Sequence, residues 1–281
     1  MQYRILSVAT AALVGSADAF WRMPCHGRTG LARIDPIVDP GEVSGHAHAI
    51  HGGSGFGMGA TYEDLINSDC TSCGVYQDKS AYWTPPLLFQ FPNGTTEVVP
   101  QVGGMLAYYL LYGDNITAFP ENFRMIAGDN FQRNFTWPVP DPPKSNWDAD
   151  MESQFSLMQH GLGFNCLNYA RAPEPSLYRH FLPTKDYLDA NCADGIRLEL
   201  MFPSCWNGND TDSKDHKSHM AYPSQVMDGE CPEGFETRVP SLFFETIWNT
   251  AAYNGVAGSF VLSNGDPTGK FTGTQGVSLQ S

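Results

Sequence analysis

Ile196-Arg197-Leu198-Glu199-Leu200-Met201-Phe202 is a mostly apolar run closed by Gly195 on one side and Pro203 on the other. It reads as a β-strand, because glycine and proline are residues that turns favour. Four more runs have the same form: Met105–Tyr112, Phe123–Ala127, Leu242–Trp248 and Ser259–Leu262. No proline interrupts any of the five. Phe89 to Val99 reads as a hairpin around Pro92-Asn93-Gly94. Short helices are expected at Tyr62–Asn67 and Ser153–His160. Pro138, Pro140, Pro142 and Pro143 crowd into one stretch, which reads as a surface loop. The pattern predicts a mainly β chain: a sandwich or jelly-roll-like single domain with long loops and disulfides.

Composition points the same way. Only 16% of the 281 residues are charged, against 28 glycines and 20 prolines, which suits a loop-rich extracellular β protein better than a helical one. The net charge of −14 argues against nucleic acid or an anionic membrane as partner.

The first residues read as a secretory signal. Arg4 precedes the short apolar run Ile5–Gly15, and Ala17-Asp18-Ala19 fits the small-x-small cleavage rule. The expected organisation is a signal peptide over 1–19, a secreted catalytic-like or binding domain over 20–264, and an atypical tail over 265–281. No later segment has 18 consecutive apolar residues, so no transmembrane helix is expected. Four N-x-S/T acceptors, at Asn93, Asn115, Asn134 and Asn209, agree with a secreted glycoprotein. Cys25, Cys70, Cys73, Cys166, Cys192, Cys205 and Cys231 read as a disulfide framework with one thiol left over.

Three of the eight histidines fall in Ser44-Gly45-His46-Ala47-His48-Ala49-Ile50-His51-Gly52-Gly53. On a strand, His46 and His48 share a face and His51 takes the other, unless Gly52-Gly53 bends the chain. Imidazoles on one face suit proton transfer or metal ligation. A second cluster runs from Cys205-Trp206 to Asp215-His216-Lys217-Ser218-His219-Met220-Ala221-Tyr222-Pro223, with Asp210 and Asp212 between. His216 and His219 would share a face on one helical turn. Carboxylates beside imidazoles suit acid–base work or a divalent metal. Asn207–Asp215 lacks the central glycine and terminal glutamate of an EF-hand. In the third segment, Arg33 and Asp35 are candidates to brace the histidines through ion pairs, while Arg22, Arg28 and Arg33 are candidates to face an acidic sugar or a phosphate.

Phe20-Trp21-Arg22-Met23, Ala32-Arg33-Ile34-Asp35-Pro36-Ile37, Ser44–Gly53, Phe202-Pro203-Ser204-Cys205-Trp206 and Asp215–Pro223 together resemble a fungal secreted domain of unknown function. That domain is often fused to WSC carbohydrate-binding modules. The resemblance implies a fungal extracellular protein linked to cell-wall or plant polysaccharide, and it supplies no reaction. In that family a Gly-Asp like Gly265-Asp266 is followed by a His-Gly-Asp stretch. This chain instead runs through Lys270 to Ser281, which is polar and lacks a strand pattern.

The expected function is action on polysaccharide or oligosaccharide, as a glycoside hydrolase or lyase. The candidate catalytic residues are His46, His48, Asp215, His216, His219 and Tyr222. The alternative is a non-catalytic metal- or glycan-binding wall protein. A divalent metal ion is the cofactor considered, with His46, His48, His216 and His219 as ligands. The two histidine clusters are expected to meet in one pocket.

Overall fold

The computed structural model describes residues 20–130, 132, 135, 137–264 and 275–278, the last four by their backbone. The expected signal peptide, the acceptor Asn134 and most of the expected tail lie outside the described residues.

In chain order the elements are β1 Phe20–Cys25, β2 Gly30–Ala32, β3 His48–Gly52, α1 Tyr62–Ile66, β4 Ala81–Thr84, β5 Leu87–Gln90, β6 Thr96–Val98, β7 Gln101–Leu110 and β8 Arg124–Ala127. There follow α2 Gln154–His160, β9 Leu162–Cys166, α3 Lys185–Asn191, β10 Ile196–Met201, β11 Cys205–Trp206, β12 Met220–Ala221, β13 Thr237–Arg238, β14 Ser241–Trp248, β15 Ser259–Leu262 and β16 Gln275–Ser278. The chain is mainly β, as expected. One five-stranded sheet has the order β1-β7-β14-β10-β9, the other β2-β3-β4-β16-β8. Two three-stranded sheets, β12-β11-β13 and β15-β5-β6, complete the set. Neighbouring strands are antiparallel throughout.

The two large sheets share one core. Tyr82 of β4 meets Phe244 of β14 edge-on at 5.4 Å, and its hydroxyl lies 2.7 Å from that of Tyr109 on β7. The apolar side chains of β7, β10 and β14 fill the same interior, with Met105, Ala107, Ile196, Leu200, Leu242 and Trp248 essentially inaccessible to water. Burying such side chains is the main force for the fold, at about 25 cal/mol per Å² of apolar surface.

The expected hairpin is β5–β6, where Gly94 takes a positive φ and Asn93 accepts the Thr95 amide. Thr61 and Asp64 cap α1 reciprocally, and Ser153 caps α2. β16 corrects the reading of the tail: Gln275–Ser278 pairs between β4 and β8. Three disulfides join Cys25 to Cys73, Cys166 to Cys192 and Cys205 to Cys231. Cys70 is the remaining thiol and is exposed. Among the described residues no helix is long and apolar enough to cross a membrane.

Candidate functional site

The first histidine segment builds a small pocket from a folded-back loop. Asp35 Oδ1 accepts the amides of Ile37 and Val38, turning the chain after β2. Arg33 Nε then donates to the Ser44 carbonyl at 2.6 Å, returning the loop to β3. Arg33 therefore braces the histidines as expected, through a carbonyl in place of an ion pair with Asp35. The His46 and His48 rings lie 4.4 Å apart, and His51 is buried on the opposite face of β3, beside Gln101. Gly52 keeps a positive φ, yet the strand does not bend His51 round.

His48 Nδ1 sits 2.9 Å from the Ile34 carbonyl. A carbonyl only accepts, so Nδ1 carries the proton and Nε2 presents a lone pair. That Nε2 is 3.9 Å from Asp35 Oδ2. Burial pushes both His46 and His48 down to about 4, and in His46 the neighbouring His48 adds to the effect. Burial also raises the Asp35 carboxyl, against the hydrogen bonds from Val38 and Ile37. The cavity, about 180 Å³, is lined by Asp35, Asp39, His46, His48, Ile126 and Asn130.

The second cluster folds as a turn in place of the expected helical turn. His216 adopts a φ of 57°, and Asp215 Oδ1 collects the amides of Lys217 and Ser218 and the Ser218 hydroxyl. Slight burial raises Asp215, but these donors outweigh it and hold the carboxyl below its usual range. His216 and His219 consequently take different partners. His216 Nδ1 pairs with Asp212 Oδ1 at 2.7 Å, while His219 Nδ1 meets Ser213 Oγ at 2.9 Å. Burial lowers His219. Tyr222 is buried, and its hydroxyl donates to the Met201 carbonyl at 2.9 Å.

The Ile126 amide donates to the His216 carbonyl at 2.8 Å. Ile126 also lines both the histidine pocket and an apolar groove of about 390 Å³ bounded by Gln154, Met158, Asp215, Lys217, Tyr222 and Phe235. The two clusters thus border cavities that share a wall.

A third group lies outside both clusters. Among the described residues, Asp141, His160 and His180 bring one ligand atom each within 4.8 Å of one another. His160 ends α2, His180 precedes α3, and Asp141 comes from the proline-rich loop. Both imidazoles are buried, and Asp141 is partly so. Burial raises the Asp141 carboxyl, but His160 and His180 outweigh it and lower it. In the sequence His160 reads only as a helix end, and Asp141 falls unremarked in the proline-rich loop. No short spacing motif joins the three positions.

A family model, Domain of unknown function (DUF1996), matches residues 35–274. The chain belongs to this family. The DUF1996 match spans the histidine pocket, the Asp215 turn and the Asp141 group alike. No curated protein matches the chain, and no solved structure does.

Proposed function

We propose that this DUF1996 chain is a secreted fungal protein that acts on cell-wall or plant polysaccharide by proton-transfer chemistry, as a glycoside hydrolase or lyase. The observation that carries the reading is the His48–Asp35 pair. A neutral imidazole with its Nε2 lone pair free stands 3.9 Å from a carboxyl whose burial favours the protonated form, and both front one polar cavity. A neutral imidazole beside a carboxyl that burial pushes toward its protonated form supplies a base and an acid at one cavity, the two groups that glycosidic cleavage needs, whether by hydrolysis or elimination. His48 is the base, Asp35 the acid, and His46 shapes the wall. The adjoining groove, with Lys217 and Phe235, offers space for further sugar units. Secretion is supported by the three disulfides and by the exposure of the acceptors Asn93, Asn115 and Asn209.

The test is product release from a panel of fungal and plant glycans by the purified chain and by His48→Gln. Cleavage of one glycan class, lost in the variant, supports the proposal. Retention of a glycan without any product would instead leave the non-catalytic binding reading.

A further inference from the structure

We propose that Asp141, His160 and His180 bind one divalent transition-metal ion of the zinc class, through the two imidazole Nε2 atoms and one carboxylate oxygen. The proposal shares no residue with the His48–Asp35 pocket and does not depend on the glycan reading.

The protonation pattern comes first. His160 Nδ1 lies 2.8 Å from the Ser156 carbonyl, and His180 Nδ1 lies 2.6 Å from the Leu162 carbonyl. Both Nδ1 atoms therefore carry protons, and each ring turns its Nε2 inward. The two Nε2 atoms meet the same carboxylate. His180 Nε2 is 3.1 and 3.2 Å from the two Asp141 oxygens, and His160 Nε2 is 3.3 Å from Oδ1. Three electron-rich groups at this separation need a positive charge among them. It is supplied either by protons on the imidazoles or by a cation.

The geometry favours the cation. His160 is 1% exposed, and its Nε2 makes no hydrogen bond despite its closeness to Asp141. A proton there would be buried off the line of its acceptor, at the cost of a poorly aligned bond. A metal requires only that the lone pairs converge. Ligands about 2.0–2.2 Å from a tetrahedral ion stand roughly 3.3 Å from each other, and the nitrogen–oxygen separations here are 3.1 and 3.3 Å.

The donor set narrows the ion. Two imidazoles and a carboxylate suit zinc and its first-row neighbours, while calcium and magnesium prefer all-oxygen sites and copper(I) prefers sulfur. The outer shell has the form such sites take, since backbone carbonyls fix both histidine tautomers. Aromatic rings exclude water around it: Phe135 lies 4.8 Å from the His180 ring, and Trp147 lies 5.0 Å from the His160 ring. Trp137, its ring 6.0 Å from that of His160, has a buried indole N–H without a hydrogen-bond partner. A metal-bound water is the kind of acceptor that such a donor lacks. The ion would tie the proline-rich loop to α2 and to the segment before α3.

The experiment loads the chelator-stripped full chain with zinc chloride. It then measures metal per chain by mass spectrometry, melting temperature, and the visible spectrum of the cobalt(II) form. One ion per chain is expected. Zinc at about 100 times its dissociation constant should raise the melting temperature by roughly 5–10 °C. Asp141→Asn and His180→Gln should each weaken zinc binding by roughly 100-fold or more, and a His46→Ala/His48→Ala double variant should bind zinc as the parent does. The proposal is overturned if the parent binds no stoichiometric zinc and its melting point does not move. That result would leave a protonated imidazole–carboxylate cluster. It is equally overturned if Asp141→Asn binds as tightly as the parent. The cobalt spectrum of the parent keeps the test decisive if a variant fails to fold.

Discussion

The His46/His48 pocket and the Asp141–His160–His180 group both gather imidazoles beside a carboxylate, yet they are built for different chemistry. In the pocket the two rings approach to 4.4 Å, but they share no ligand atom: His48 Nε2 stands 3.9 Å from Asp35, and Asp35 Oδ1 is engaged by two backbone amides. In the second group both Nε2 atoms come within 3.3 Å of one carboxylate. Ring proximity alone therefore does not make a metal site. The backbone holds Nδ1 of His48, His160 and His180 alike, so what decides is where the Nε2 atoms are left pointing.

The largest expected effect would break the comparison on the pocket side. His48→Gln keeps the hydrogen bond to Ile34 within reach but removes the base. Activity on the responsive glycan should fall by about 10²- to 10⁴-fold, with zinc content unchanged. If instead the Asp141 variants abolish cleavage and His48→Gln does not, the catalytic role belongs to the second group.

Next in size is a pH dependence peculiar to the pocket. His48 lies at about 4 when folded and near 6.5 when unfolded, because burial disfavours its charged form. Below pH 6.5 the unfolded chain binds the extra proton. Stability should therefore rise between pH 4 and 6.5 and be lost as the pH falls through that window, by on the order of 3 kcal/mol from this group. Denaturant melts of the parent and of His48→Gln across that range would measure it. Equal slopes would contradict the buried, neutral histidine. In catalysis the same group predicts an acid limb of kcat/KM near pH 4.

Smaller effects sharpen the assignment of the second sequence cluster. Tyr222→Phe removes one buried hydrogen bond, to Met201, and should cost about 1 kcal/mol while leaving glycan cleavage intact. Lost activity at unchanged stability would return Tyr222 to the catalytic set. His216→Ala, on a partly exposed turn, should shift stability by no more than about 0.5 kcal/mol. A larger loss would mean that its pairing with Asp212 holds the turn.

Much of the sheet framework was legible in the sequence. Ile196–Phe202, Leu242–Trp248 and Ser259–Leu262 became β10, β14 and β15, because apolar runs between turn residues have few other ways to bury themselves. The short helices expected at Tyr62–Asn67 and Ser153–His160 became α1 and α2. Helix α3 was missed because only Leu188 of its seven residues is buried, which leaves no apolar period to read. β16 was missed because Gln275-Gly276-Val277-Ser278 is polar and is made a strand by β4 and β8 on either side. His46 and His48 come together, but not as neighbours on one strand: β3 begins at His48, and His46 lies in the bend before it. The expected face shared by His216 and His219 did not survive, because the Asp215 side chain folds that segment as a turn. The Asp141 group was illegible for a different reason. Its ligands come from a loop, a helix end and a segment after β9, and only the tertiary fold brings them together.

The most direct test is anomalous diffraction from crystals of the zinc-loaded chain, recorded on both sides of the zinc absorption edge. A single peak bonded to His160 Nε2, His180 Nε2 and an Asp141 oxygen is the predicted result. A peak between His46 and His48, or none at the Asp141 group, would contradict it.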